Sequence, residues 1–478
     1  MSATTMIENA SWVIAWDGAA ESHVYLRDAD VVFTGADIDF VGTGYGGTAD
    51  TVIDGAGLMV MPGLVDIHAH PGDEPKSKGL FEEMGSPMLH NTSLIEYMPL
   101  VRGDQEGANA ALEFALCELL KSGCTTLCDL SGVREGWLDT LAKSGIRAYA
   151  APMFRSARWY TPNGHELCYE WDEDAGKRSF AAALVVVDAA EAHDCGRLKG
   201  MISPAQIDTC TADLLKDSAA AAAERGMPWT VHASQSVVEF REMVRRHGQT
   251  PVEWLDGLGL LGPDKIIAHA IFVDHHPWLG WPTMDDLDRL GGAGANIAHC
   301  PGNFVRRGIL LQDFRAYREA GVTIGLGTDT FPHNMIDEMR WAVTLAKVAA
   351  ADVHSIGAGD VLDAATVGGA RALGRDDIGR LSPGAKADIV LVDLAHPSML
   401  PVRDPLRSLM FSALERPVRD VYVDGVLVVK DGDCLTLDHA AAGARLQEAQ
   451  ARALAGVAER DWAGRSADEA FPLSLELR

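Results

Sequence analysis

The amino-acid sequence predicts an α/β protein: a (β/α)8 barrel in the middle of the chain with a small β-domain built from both ends. Three observations carry this. Between residues 61 and 380, short apolar runs alternate with helix-patterned runs, which is the grammar of a parallel sheet covered by helices. Eight such apolar runs follow one another, as many as a TIM-type barrel needs. Residues 1–60 and 381–435 instead carry short apolar runs broken by Gly and Asp, the punctuation of a β-meander.

The N-terminal part holds SWVIAWDG, HVYLRDADVVFTG, DIDFVGTG and DTVIDGAGLMV. The same grammar returns in GAKADIVLVDL and VRDVYVDGVLVVKDGDCLTL, so one small domain made from the two ends is the economical arrangement. Residues 436–478, rich in Ala, Glu and Arg, read as a helix and a tail. In the middle, the expected strands are MPGLVDIHA, TTLCDL, RAYAAPMF, KGMISPAQI, MPWTVHAS, KIIAHAIF, GANIAHC and VTIGLGTD. Helical stretches fall between them, such as DQEGANAALEFALCELLKSG after the first and MDDLDRLGG after the sixth.

With 478 residues, 47% hydrophobic and 23% charged, the chain reads as an ordinary globular protein of more than one compact unit. Its net charge of −27 disfavours nucleic acid as a partner, because neutralising a phosphate backbone takes Lys and Arg in bulk. No apolar stretch is long enough to span a bilayer, and MSATTMIENASWVIAWDG lacks the basic and apolar regions of a signal peptide. The eight cysteines are scattered without metal-knuckle or paired spacing, which favours reduced thiols and a cytoplasmic location.

The stretch MPGLVDIHAHPGD raises the functional question. Successive strand side chains point to opposite faces, so His68 and His70, two residues apart at a strand end, project to the same side. A lone His-x-His is a weak signal, but His232, His269, His299 and Asp329 stand at the ends of strands five to eight. Barrel active sites collect side chains from those ends. Imidazole nitrogens with one carboxylate suit zinc or iron, and an open metal site lowers the pKa of bound water toward neutrality. Asp329 is placed to take a proton from that water, and His269 to hydrogen-bond it or polarise a substrate. The alternative role for Asp329 is a helix N-cap in GTDTFPHN.

PGLVDIHAH, VHASQS, AHAIF, AHCPGN and GLGTD, taken in order and followed by ADIVLVDL and VYVDGVLVV, resemble the amidohydrolase superfamily. The likeness is to its cytosine-deaminase-like and triazine-hydrolase-like branch, and it covers nearly the whole chain. It implies a distorted, TIM-like (β/α)8 barrel, a small β-sandwich domain and one divalent transition metal, zinc or iron, held by His68, His70, His232 and Asp329. A homo-oligomer is a family-level expectation. No lysine stands at the fourth strand end, GMISPAQIDTC, where other branches carry a metal-bridging one; Lys199 precedes that strand. A mononuclear site follows.

One departure matters. The branch usually has a glutamate three positions after the fifth-strand histidine, carrying a proton to the substrate ring, and this chain has Gln235 there. A carboxamide has no proton to exchange. Gln235, Asp329 and His269 are the candidate catalytic residues, and the glutamine turns the expectation toward amide or urea cleavage of a small uncharged or cationic molecule. Deamination or dechlorination of an N-heterocycle is the alternative within the class, and a non-catalytic metal-bound scaffold the alternative outside it. Candidate substrate contacts are Trp159, His299, Asn303, Phe304, His333 and Asn334, with the long segment after His70 as a substrate loop; Asn303 and Asn334 are expected to orient neighbours.

Overall fold

In the middle of the chain eight strands run in parallel, and each expected apolar run overlaps one, KGMISPAQI by only its first two residues. They are β1 (Leu64–Ala69), β2 (Cys124–Asp129), β3 (Arg147–Ala150), β4 (Leu198–Gly200), β5 (Trp229–Ala233), β6 (Lys265–His269), β7 (Asn296–His299) and β8 (Thr323–Leu326). The computed structural model describes residues 3–478. Every residue of β1, β2, β5, β6 and β7 is buried, which is why these strands read as nearly continuous apolar runs rather than alternating ones.

The first four strands form one sheet in the order β4-β3-β2-β1 and the last four another in the order β5-β6-β7-β8. The two meet at isolated parallel bridges, Ile202–Trp229 and Gln206–His232 on one side and Ala69–Asp329 on the other. At the second junction the Asp329 amide donates to the His68 carbonyl at 2.8 Å and the His70 amide to the Asp329 carbonyl at 2.9 Å. The arrangement is TIM-barrel-like. Gly327 permits this junction, since a Cβ there would lie 2.7 Å from the His68 carbonyl oxygen.

Both chain ends contribute to one seven-stranded sheet, in which Leu58–Pro62 pairs antiparallel with Ile389–Asp393. A second, four-stranded sheet comes from the N-terminal part alone. One of its central strands, Thr4–Ala10, is not legible as a strand in the sequence; its pairing with Ala29–Thr34 and Thr51–Asp54 sets it. Ile7, Val31 and Phe33 from one sheet share a buried cluster with Val60, Ile389 and Leu391 from the other. Near the C-terminus, helix His439–Ala455 lies along helix Gln105–Lys121, with Arg445–Glu113 and Arg452–Asp104 ion pairs at 2.7 Å. All eight cysteines are free, and no described helix is long and apolar enough to cross a membrane.

Candidate active site

The strand-end turns bend the backbone sharply where the polar side chains converge. Ser234, His269, Ala270 and Asp329 have positive φ of 54°, 78°, 47° and 56°, a region that non-glycine residues occupy only where the surroundings enforce it, and one over-represented at functional sites. These turns end β5, β6 and β8 and aim His232, His269 and Asp329 at the paired histidines of β1.

His70 Nδ1 donates to the Leu130 carbonyl at 2.7 Å, and His232 Nδ1 donates to the Ala205 carbonyl. A carbonyl only accepts, so in each neutral ring the proton sits on Nδ1 and Nε2 is left as a lone pair. Yet the two Nε2 atoms stand 3.2 Å apart. Asp329 Oδ1 lies 3.4 Å from His70 Nε2 and 3.6 Å from His68 Nε2. His68 is fully buried, and neither of its ring nitrogens has a partner among the described residues. Facing lone pairs and an orphaned imidazole call for a shared cation. The spacing fits one, because donors held about 2 Å from a tetrahedral ion sit roughly 3.3 Å apart.

The electrostatics fit as well. Burial holds the His68 imidazole below its ordinary pKa and that of His232 well below it, and brings His269 down to about 3. Burial pushes the Asp329 carboxyl up, but the His269, His68 and His70 rings around it hold it well below the usual carboxylate range. His68, His232 and His269 are thereby favoured as neutral imidazoles beside a carboxylate, the protonation states a metal ligand needs. Two overlapping groups, His68–His70–His232 and His68–His269–Asp329, could each hold an ion. Lys199 pairs with Glu191 at 2.9 Å and stands outside both.

Asn303 donates to Asp329 Oδ2, and Arg307 donates to Asn303 Oδ1 at 2.7 Å. Arg307 thus decides which way the amide faces, so that its NH₂ meets the carboxylate. Asn303 orients a neighbour, as its position suggests; Arg307, beside it, carries the orientation further.

The cluster opens into a cavity of about 520 Å³ lined by His70, His232, Gln235, His269 and Asp329 together with Trp159 and Phe304. The Gln235 side chain is buried and its Nε2 has no partner among the described residues. A carboxylate does stand nearby, but Glu239 is turned to the backbone, accepting from the Ser234 and Gln235 amides at 2.7 and 3.0 Å. The segment after His70 contributes Glu74, Lys76 and Ser93 to the walls.

Three sequence candidates for substrate contact lie elsewhere. His299 faces a small enclosed apolar pocket with Phe304 and Phe314. His333 is fully buried behind β8, bonded through Nδ1 to Thr328 Oγ1 at 2.8 Å, and that hydroxyl donates to Asp66 at 2.6 Å. Asn334 caps helix Met335–Ala350, accepting from the Ile336 and Asp337 amides. Sequence proximity to Asp329 does not decide these cases, because the chain turns away into that helix within five residues. The cap in GTDTFPHN is Asn334, and Asp329 is free for the cluster.

The walls also carry charged side chains of both signs, Asp73 and Glu74 among them. Arg102, Arg155, Arg158, Arg307 and Lys76 line the cavity. Lys76 stands 3.7 Å from Asp73 and Arg158 pairs with Glu170, but Arg102, Arg155 and Arg307 have no carboxylate within ion-pair distance among the described residues. In a chain of net charge −27 that is an unusual concentration. The signal was present in MFRSARWY, two arginines just beyond the third strand.

Residues 59–428 match the model of the Amidohydrolase family. A 5-methylthioadenosine/S-adenosylhomocysteine deaminase of Natronomonas pharaonis is 29% identical over 442 residues, covering 90% of this chain and 94% of its own. A 5'-deoxyadenosine deaminase of Methanosarcina mazei is 28% identical over 446 residues, covering 91% and 95%. Among solved structures, an atrazine chlorohydrolase from Arthrobacter aurescens complexed with zinc superposes with a TM-score of 0.75 at 23% identity, over 93% of this chain and 100% of that one. An adenosine deaminase from Xanthomonas campestris with bound zinc gives a TM-score of 0.76 at 23% identity, over 94% and 99%.

Proposed function

This chain belongs to the amidohydrolase family and is a hydrolase of carbon–nitrogen bonds, and from that premise we propose that it removes an amino group hydrolytically from a small N-heterocycle bearing an anionic group. One observation carries the reading: a single cavity joins the His/Asp cluster to arginines that lack carboxylate partners. The relatives named as deaminases of adenosine derivatives support a ring substrate over the amide or urea suggested by Gln235. The scaffold is taken as one closed barrel spanning residues 61–380, a β-sandwich from residues 1–60 and 381–435, and a helical tail over 436–478. Eight free thiols favour the cytoplasm.

His68, His70, His232 and Asp329 would hold one divalent ion, zinc by donor type. Such an ion supplies Lewis acidity and lowers the pKa of a water it binds. The remaining chemistry belongs to the chain. Asp329 Oδ2, which accepts from the Asn303 amide, takes a proton from the attacking water and returns it to the departing nitrogen. His269 is a neutral ring whose Nε2 lies 4.0 Å from that oxygen, so it hydrogen-bonds the reacting centre rather than donating from an imidazolium. Gln235 offers its free amide to the substrate ring, Trp159 and Phe304 exclude water, and Arg155 with Arg102 and Arg307 binds the anionic group.

Ammonia release by metal-replete protein across aminated heterocycles, ureas and amides tests the reading. Amide or urea cleavage with no ring deamination would establish the second reading, which Gln235 favours. The variant Gln235→Glu separates the two further. On a heterocycle it adds a proton carrier and is expected to raise kcat/KM about tenfold; on an amide a second carboxylate beside Asp329 is expected to lower it by a similar factor. The anionic group is tested with matched substrates, one bearing a carboxylate and one its neutral amide. Arg155→Gln is expected to raise KM for the charged member about tenfold and leave the neutral one within about twofold. An equal effect on both would remove the anion from the proposal.

A further inference from the structure

The cavity wall that carries Trp159 is a two-stranded hairpin, Ala157–Tyr160 with Cys168–Trp171, in which Trp159 stands opposite Tyr169. An isolated two-stranded hairpin is marginal in water, so something must hold it. The holding point is one oxygen. Asp208 Oδ2 accepts from Trp159 Nε1 and from the Tyr169 hydroxyl, both at 2.7 Å, and so grips both strands at once. From helix Val237–His247, Arg246 donates to the Asp208 carbonyl at 2.7 Å, and its guanidinium lies 4.1 Å over the Tyr169 ring and 5.1 Å over that of Trp171. Glu242 steadies Arg246 at 2.6 Å.

Asp208 is 1% exposed, does not line the cavity, and its second oxygen is buried without a partner among the described residues. Burying a carboxylate with one oxygen unsatisfied is costly, and an apolar contact would hold a hairpin more cheaply. What the carboxylate provides, and an apolar contact would not, is direction: an indole N–H and a phenol O–H meeting at one point fix the plane of the Trp159 ring. We propose that Asp208 is a positioning residue for substrate recognition, clamping the hairpin so that Trp159 presents a flat wall to the substrate. The proposal rests on the reading of the cavity as a substrate site; a ring substrate is the case in which a flat wall matters most.

Two measurements test it. In hydrogen exchange, Asp208→Ala is expected to speed exchange of the amides of residues 157–171 at least tenfold and leave β5 and β6 unchanged, with Tyr169→Phe intermediate. In kinetics, on whichever carbon–nitrogen substrate the panel identifies, Asp208→Ala is expected to raise KM about tenfold with kcat within threefold. Trp159→Phe should do the same, the double variant should be no worse than either single one, and Asp208→Asn, which keeps an acceptor oxygen, should recover most of the loss. Unchanged exchange in the hairpin, additive KM effects, or a fall in kcat at constant KM would overturn the clamp. Should the wild type deaminate no heterocycle, the deaminase reading fails by itself, while the exchange result and the KM values on an amide or urea still decide the role of Asp208. If Asp208→Ala does not fold, Tyr169→Phe, which removes one of the two donors to Asp208, carries both measurements.

Discussion

Replacing His68 with alanine is expected to strip the protein of its metal and lower kcat/KM by about 10³-fold or more. The wild type should carry about one transition metal per chain after dialysis, and the variant less than about a tenth of that. His68 is fully buried with two partnerless ring nitrogens, so its imidazole has no other bond to satisfy. Losing one supporting partner of a metal ligand already costs about 10- to 100-fold in affinity; losing a ligand from a set of four should cost more. Metal analysis, activity and a thermal melt on the same preparations separate lost metal from lost fold. A variant that keeps its full metal content would remove His68 from the ligand set, and two tightly held metals in the wild type would remove the mononuclear site.

His269→Asn is expected to keep most of the metal while lowering kcat by about 10²-fold or more. Asparagine is chosen for the backbone: His269 has a φ of 78°, and asparagine tolerates the left-handed region far better than alanine. The variant therefore changes the side chain without forcing the strand end to move. Because burial brings His269 down to about 3, the lost group is a neutral hydrogen-bonding ring, and the deficit should be nearly constant from about pH 5 to pH 8 rather than titrate away at low pH. Metal content and kcat measured together decide the role. The His68–His269–Asp329 group could itself hold an ion, and if metal is lost in step with activity, His269 is a ligand.

The alternation of strand and helix was legible because a strand buried on both faces is largely apolar, and β1, β5 and β6 are buried along their whole length. The strand-end polar residues stood out for the same reason, since a histidine ending an apolar run is conspicuous in one dimension. Thr4–Ala10 was not legible: its TTMIENA pattern is half polar, and its place comes from strands about 25 and 45 residues away along the chain. His333 and Asn334 misled because nearness in sequence to Asp329 says nothing about which way a loop turns.

The sequence by itself determined the order of elements, the convergence of His68, His70, His232, His269 and Asp329 on one end of a parallel sheet, and the absence of a glutamate at position 235. These follow from local rules: a period of two along each strand, and catalytic groups at the carboxyl ends of parallel strands. Only the tertiary structure decided which oxygen of Asp329 faces the histidines, which arginines stand without partners in the cavity, and that Asp208 grips Trp159 and Tyr169 together. Those contacts join loops far apart in the chain, so they depend on where the whole scaffold brings each loop, a property no window of sequence contains.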